Sequence, residues 1–352
     1  MKKAKSSGKT GLDLSGEKIV QLSLVVQDAG KVAKRFSEIF GIFWKLYDLQ
    51  LKDIVLNDES LGEVDCRLKI AIGDFGGRSL KLVQPVSGQS SYAKFLQKSG
   101  EGFYTLGLGT LLNHDRIVIA LNKAGVRLEM QGDLGNGATF SILDATENLG
   151  CRFEISSPAE QANEIFLTQT AVITPNGGCL VDLGKPAFSG GKKLNQVGIV
   201  LRDEKRAAKQ FEEILGIRNW NYAFGPPGLS NAFLNDKPVP ESEMKGLDVA
   251  FAMGRLGDIQ IELIRPVDIR PGGCHQQFLD KKGNGIQHLS FGLQPDYAAV
   301  VEGMKKAGIG AEFSTSLKTE AFGDLMVSYF ASQKQLGGFQ LEIVGQRFSG
   351  MH

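Results

Sequence analysis

At 352 residues the chain is too long for one ordinary domain, and length alone points to about two. A hydrophobic share of 42% and a charged share of 22% are those of a soluble globular protein. With 40 basic and 39 acidic residues the net charge is +1, which gives no electrostatic footprint for nucleic acid or an anionic membrane surface.

The N-terminus, MKKAKSSGKTGLDLSG (residues 1–16), is basic, but no apolar stretch follows it. It therefore reads as a disordered leader rather than a secretory signal. No apolar run is long enough to span a bilayer. Cys66, Cys151, Cys179 and Cys274 are scattered without a CxxC pair, which fits reduced structural thiols and a cytoplasmic protein. The 44 glycines, spread without low-complexity tracts, predict many tight turns between short strands.

From residue 17 onward the chain is written twice. AKRFSEIFGI (33–42) and AKQFEEILGI (208–217) agree at seven of ten positions. Upstream, IVQLSLVVQD (19–28) has the pattern of LNQVGIVLRD (194–203), with Gln21 opposite Gln196. Downstream, RSLKLVQPV (78–86) lies opposite IQIELIRPV (259–267), and YAKFLQKSGEGFYTLGL (92–108) opposite HQQFLDKKGNGIQHLSFGL (275–293). The halves close alike, on GCRFEI (150–155) and GFQLEI (338–343). The expected layout is a leader at 1–16, a first domain at 17–157, a linker at 158–192, a second domain at 193–346 and a tail at 347–352. The linker is turn-rich, with one candidate strand in CLVDLGK (179–185).

Each half divides again. In the second, an alternating strand (194–201) leads to a helix with Asp203 as N-cap, and Ala207, Ala208, Phe211, Ile214 and Leu215 recur at helical spacing before Gly216 ends it. Strands follow at 251–256 and 259–266. The order then restarts with a strand at 286–293, a helix over about 296–307 and strands near 326–331 and 339–344. The unit is strand, helix, then two or three strands, and four such units make the chain. In GIQHLSF (285–291), alternation puts Ile286, His288 and Ser290 on one face. An imidazole on a half-buried strand needs a hydrogen-bond partner, a metal or a catalytic task. Glu262 and Glu342 are each a lone carboxylate in an otherwise apolar strand, which is costly unless the charge is paired or metal-bound.

LNQVGIVLRDEKRAAKQFEEILGI, GDIQIELIRPV, GIQHLSFGL and GFQLEIV together resemble the vicinal oxygen chelate superfamily of glyoxalases, bleomycin-resistance proteins and dioxygenases, and the resemblance covers nearly the whole chain. It implies an α+β fold of four βαβββ modules, paired into two cupped, U-shaped mixed sheets. In that family a divalent metal takes one ligand from the first and one from the last strand of each module. Carried over, the positions are Gln196, Glu262, His288 and Glu342, a set similar to that of glyoxalase I and related to that of methylmalonyl-CoA epimerases. Three oxygens and one imidazole suit Zn, Ni, Co, Mn or Mg. The resemblance implies an isomerase, epimerase or lyase. A substrate with neighbouring oxygens, such as a thioester or hemithioacetal, would lose a C–H proton to Glu342, or failing that Glu262, and the metal would stabilise the enediolate.

The first half carries Gln21, Lys81, Thr105 and Glu154 at the matching places. A charged lysine offers no lone pair, so this site is expected to be degenerate, with Lys81 either pairing with Glu154 or binding an anion. Two other functions compete. A non-catalytic binding protein would use an aromatic-lined cup, for which Trp220, Tyr222 and Phe224 are the candidates. An extradiol-type dioxygenase would want a second imidazole where Gln196 stands. His275, His114 and His352 are expected to be solvated surface residues, and Lys281, Lys282 and Arg265 are candidates for a CoA phosphate or a carboxylate. Packing is expected to be a monomer with an internal pseudo-dimer, or a homodimer.

Overall fold

The computed structural model describes residues 11–51, 54–57, 59–60, 66–134, 138–158, 167–175, 180–181, 183, 194–224, 229–240, 242, 249–267, 273–319 and 323–346. The first half runs β1 (Gln21–Val25), α1 (Ala29–Phe40), β2 (Trp44–Leu51), β3 (Val55–Leu56), β4 (Glu59–Ser60), β5 (Cys66–Asp74), β6 (Ser79–Ser87), α2 (Ser91–Ser99), β7 (Gly102–Thr110), α3 (His114–Lys123), β8 (Arg127–Asp133), β9 (Thr139–Ala145), α4 (Thr146–Leu149), β10 (Cys151–Ser156) and β11 (Leu167–Ile173). The second runs β12 (Gln196–Val200), α5 (Glu204–Leu215), β13 (Asn221–Phe224), β14 (Leu229–Leu234), β15 (Lys237–Pro238), β16 (Val249–Leu256), β17 (Ile259–Pro266), α6 (Cys274–Lys282), β18 (Gly285–Gln294), α7 (Tyr297–Lys306), β19 (Ala311–Thr319), β20 (Gly323–Phe330) and β21 (Gln340–Gln346). Among these residues no helix is long and apolar enough to cross a membrane.

The duplicated local signals produce duplicated structure. Asp28 and Asp203 accept from the backbone N–H groups of Lys31 and Arg206, capping α1 and α5. Gly41 and Gly216 end these helices at φ 69° and 78°, a left-handed conformation that glycine adopts without a Cβ penalty.

The strands form an 11-stranded sheet, ordered β11-β2-β5-β6-β1-β7-β10-β9-β8-β3-β4, and a 10-stranded sheet, ordered β13-β16-β17-β12-β18-β21-β20-β19-β14-β15. In each, two four-stranded modules meet through their first strands, β1 antiparallel to β7 and β12 antiparallel to β18. Each module's last strand lies parallel beside its first. Short strands then cross to the far rim: β3 pairs with β8, and β14 with β19. Leu51 ends β2 and Val55 begins β3, a span that extended chain covers in about 14 Å. This short crossing ties the β2 flank of the first sheet to its β8 flank and curls it into a cup, and the second sheet repeats the strand order.

One face of the central strands packs against helices and the other half; the opposite face lines the cup. Val197, Ile199, Ile261, Leu263, Leu289, Leu341 and Ile343 belong to one large core that includes residues of both halves. In the first half the cup is itself filled by a second apolar cluster, including Leu51, Ile70, Tyr92, Met130 and Phe140. In the second, two smaller clusters, around Val327 and Tyr329 and around Val200 and Ile264, flank a polar centre.

Three expectations about layout change. Residues 11–16 are not a free leader: Leu14 is buried, its N–H donates to Leu215 O, and Ser15 O accepts from Gly257 N, which ties this segment to the second half. Within the expected linker, 167–173 forms β11, an antiparallel partner that covers the edge strand β2. The described residues of the CLVDLGK segment, 180, 181 and 183, are not in a strand; the rest of that segment, the 1–10 leader and the 347–352 tail with His352 lie outside the described residues.

Candidate metal centre

The second cup is organised by register. On the lining side, one row across β17, β12, β18 and β21 reads Glu262, Gly198, His288, Gln340, and the next reads Gln260, Gln196, Ser290, Glu342. A pseudo-twofold axis between β12 and β18 exchanges Gln196 with His288 and Glu262 with Glu342. The four expected positions thus alternate between the two rows from strand to strand, one pair from each module. The remaining places are held by Gly198 and Ser290 on the inner strands and by Gln260 and Gln340 on the outer ones, and a Cβ on Gly198 would lie 2.0 Å from His288 Cε1.

Three of the four side chains converge. Ligand atoms of Glu262, His288 and Glu342 all lie within 4.8 Å of one another, and all three residues are buried. His288 Nε2 stands 3.4 Å from Glu262 Oε2 and 3.9 Å from Glu342 Oε2. Both Nε2 and Glu262 Oε2 are buried without a hydrogen-bond partner, an expensive arrangement for a nitrogen facing carboxylates and one that a cation between them would relieve. The fourth position differs: the Gln196 amide Nε2 donates to Gln260 Oε1 at 2.9 Å. The Tyr329 and Ser290 hydroxyls hydrogen-bond to Glu342.

The electrostatics follow from burial and charge crowding. Burial opposes the charged His288 imidazolium, but the adjacent carboxylates of Glu262 and Glu342 more than offset it and hold His288 above its ordinary value. Burial raises the Glu342 carboxyl above the ordinary range; His288 pulls it back and Glu262 pushes it further up.

The first cup has the same four positions and a different solution. Lys81 pairs with Glu154; Gln21 Nε2 also donates to Glu154 Oε1 (3.3 Å), and Thr105 Oγ1 to Glu154 Oε2 (3.1 Å). An ammonium thus supplies the positive charge that satisfies the buried carboxylate here, and the pairing of Lys81 with Glu154 is what forms.

Other expected positions are relocated. Trp220 packs on Phe211 of α5, at a centroid distance of 5.5 Å, outside the cup. Tyr222 and Phe224 pair with Ala252 and Ala250, while Phe251 faces Ile264 in the cup. Because opposed residues share a face, Tyr222 and Phe224 point away from the cup, and both are exposed. Arg265 is engaged by Glu204 on the helix side, and Lys282 donates to the carbonyls of Ser99 and Glu101 across the two halves. Their run ends in Gly283, the C-cap of α6, where exposed carbonyls repel a phosphate.

Two histidines expected at the surface are buried. His114 bonds Asp115 and Ser141. His275 lies beside the centre, its Nδ1 2.6 Å from Gln287 Oε1 and its ring 5.0 Å from that of Tyr329. Burial, assisted by nearby His288, pushes its pKa down to about 3, so it stays neutral. Alternation alone also mispaired β18. Its register with β12 slips between Gly198 and Ile199, leaving Gln287 as a bulge. Ile286 therefore turns into the large core, and Gln287 takes its place beside His288. The signal for Gln287, His275 and Tyr329 was weak, because their proximity depends on this bulge and on a helix and a strand distant in sequence.

Residues 195–322 match the Glyoxalase/Bleomycin resistance protein/Dioxygenase superfamily. Among curated proteins none matches the chain in sequence. Of solved structures, a triple mutant of 4-hydroxymandelate synthase from Streptomyces coelicolor is similar over 96% of this chain and 94% of its own, with 15% identity and a TM-score of 0.60. A xylose isomerase-like TIM barrel/4-hydroxyphenylpyruvate dioxygenase fusion protein is similar over 99% of this chain, which spans 51% of that protein, with 11% identity and a TM-score of 0.50. Methylmalonyl-CoA epimerase from Mycobacterium tuberculosis aligns over 47% of this chain and 94% of its own, with 23% identity and a TM-score of 0.30, too low to bear on the fold. The matched segment contains Gln196, Glu262 and His288, and the sheet that holds them also supplies Glu342: the second half of this chain carries a domain of the Glyoxalase/Bleomycin resistance protein/Dioxygenase superfamily, the vicinal oxygen chelate fold.

Proposed function

We propose that the second half is a divalent-metal-dependent isomerase, epimerase or lyase of the glyoxalase type, acting on a carbon acid next to a carbonyl. The observation that carries this reading is the buried Glu262–His288–Glu342 cluster, in which an imidazole nitrogen and a carboxylate oxygen face one another, each without a hydrogen-bond partner. His288 through Nε2, Glu262 and Glu342 through carboxylate oxygens, and Gln196 at the fourth position would hold the ion. A cation bound there supplies Lewis-acid polarisation of two neighbouring substrate oxygens.

Glu342 is the base. Its carboxyl is held above the ordinary range by burial, which raises its affinity for a substrate C–H proton, and the Tyr329 and Ser290 hydroxyls fix its orientation. Glu262, with an unsatisfied buried oxygen, is the second candidate for the same task. Returning the proton to the adjacent carbon gives an isomerase, and returning it to the opposite face an epimerase. Two carboxylates with one imidazole depart from the two-imidazole, one-carboxylate set of non-haem Fe(II) oxygenases, so oxygen chemistry is not the preferred reading.

Purified full-length protein should contain near-stoichiometric divalent metal, lost in His288→Ala. With methylmalonyl-CoA or hemithioacetals in deuterated water, the protein should catalyse exchange of the acidic C–H, and Glu342→Gln should slow it by on the order of 100-fold or more. Protein that holds no metal, and gains no thermal stability from added Zn, Ni, Co, Mn or Mg, would sink the proposal. Oxygen consumption with Fe(II), without deuterium exchange, would replace it with a dioxygenase.

A further inference from the structure

We infer that Gln287 is a positioning residue: its carboxamide fixes the tautomer and ring orientation of His288, so that the Nε2 lone pair is aimed between Glu262 and Glu342. The inference rests on the metal-site reading for its purpose, but its geometry stands apart from it.

Gln287 is buried, and as the bulged residue of β18 it has no partner on β12. The two ends of its amide can be told apart. The side-chain Nε2 lies 3.0 Å from Cys274 O, and a backbone carbonyl only accepts, so the amino group is at that end. The oxygen end therefore faces His275 Nδ1 at 2.6 Å and His288 Nδ1 at 3.2 Å, and both must donate to it. An imidazole that carries its proton on Nδ1 presents Nε2 as the free lone pair. In His288 that Nε2 is the atom left without a partner opposite the carboxylates.

Supporting contacts hold the arrangement. The Tyr329 ring stands edge-on to both imidazoles, 5.0 Å from each. Gly198 leaves room for the His288 ring on the opposite side. The first half supplies the comparison. It has the same bulge, between Ser23 and Leu24, which leaves Tyr104 unpaired; but the Tyr104 hydroxyl donates to Glu129, and its neighbour is Thr105. The bulge thus belongs to the fold, whereas the carboxamide belongs to the half that carries the imidazole. A partner that orients a metal-binding imidazole in this way is commonly worth 10–100-fold in metal affinity.

The test uses the full-length protein. Long-range proton–nitrogen correlation spectra of the zinc-loaded form should show His288 protonated at Nδ1 with Nε2 shifted by the metal. In Gln287→Leu the Nδ1–H signature should be lost or mixed, and the dissociation constant for Co(II), read from its visible absorption, should rise about 10–100-fold. Gln287→Glu retains an acceptor and should retain the tautomer. A wild-type His288 protonated at Nε2 overturns the inference whether or not any variant folds. So does a folded Gln287→Leu with unchanged tautomer and Co(II) affinity. If the wild type binds no metal, the metal-site reading fails, and the same spectra of the neutral ring in alkaline solution still decide the tautomer.

Discussion

Gly198 has no side chain because the His288 ring lies where its Cβ would be, 2.0 Å from Cε1 and 2.2 Å from Nε2. Gly198→Ala therefore forces either the imidazole or β12 to move. Overpacking of a filled site costs about 1–3 kcal/mol, so the protein should remain folded in urea titrations while losing Co(II) affinity by roughly the 10–100-fold expected of a misaimed ligand. Unchanged Co(II) binding would show that His288 is not held by this contact. Here the sequence was informative for a specific reason. Duplication offered Thr105 as a counterexample to His288, and lone acids in apolar strands marked Glu262 and Glu342. His275 could not be read the same way: its partners Gln287 and Tyr329 reach it only after a bulge and a distant strand are in place.

At the scale of elements, register does most of the work. Helices α1 and α5 were legible because their caps and apolar spacing are local signals. The short rim strands β3 and β14 were not, since each draws its stability from pairing with the other module's edge. The same four positions then accept two chemistries. In the first cup Lys81 satisfies Glu154, inside an apolar filling. Lys81→Met leaves that carboxylate buried and without its cation, and should destabilise the protein by about 3–5 kcal/mol in denaturant. The double variant Lys81→Met/Glu154→Gln removes the stranded charge and should recover most of the loss. A single variant that costs no more than the double would mean that the ion pair does not hold the first cup together.

The two cups behave as one molecule because their outer faces share a core. Phe75 is buried where the halves meet, with ring centroids 5.7 Å from Phe36, 5.2 Å from Phe40, 4.7 Å from Phe291 and 5.6 Å from Phe339. Polar ties reinforce the seam: Arg35 Nε donates to Gln335 Oε1 at 2.8 Å, Arg78 pairs with Asp258, and Leu194 N donates to Gly76 O. The segment around Leu14 adds a strap from the start of the chain to the end of α5. This internal pseudo-dimer implies that neither half is an independent folding unit, since separation would expose the large face that each buries in the other. Phe75→Ala should cost about 3–5 kcal/mol, the usual loss for a buried phenylalanine. More tellingly, calorimetry of Co(II)-loaded protein should show one transition in the wild type and one, at lower temperature, in the variant, with the added Co(II) released in the same step. Two resolved transitions, of which the substitution shifts only the first, would mean that the halves are linked but not cooperative. The first cup would then be a passenger rather than the support on which the second cup's geometry depends.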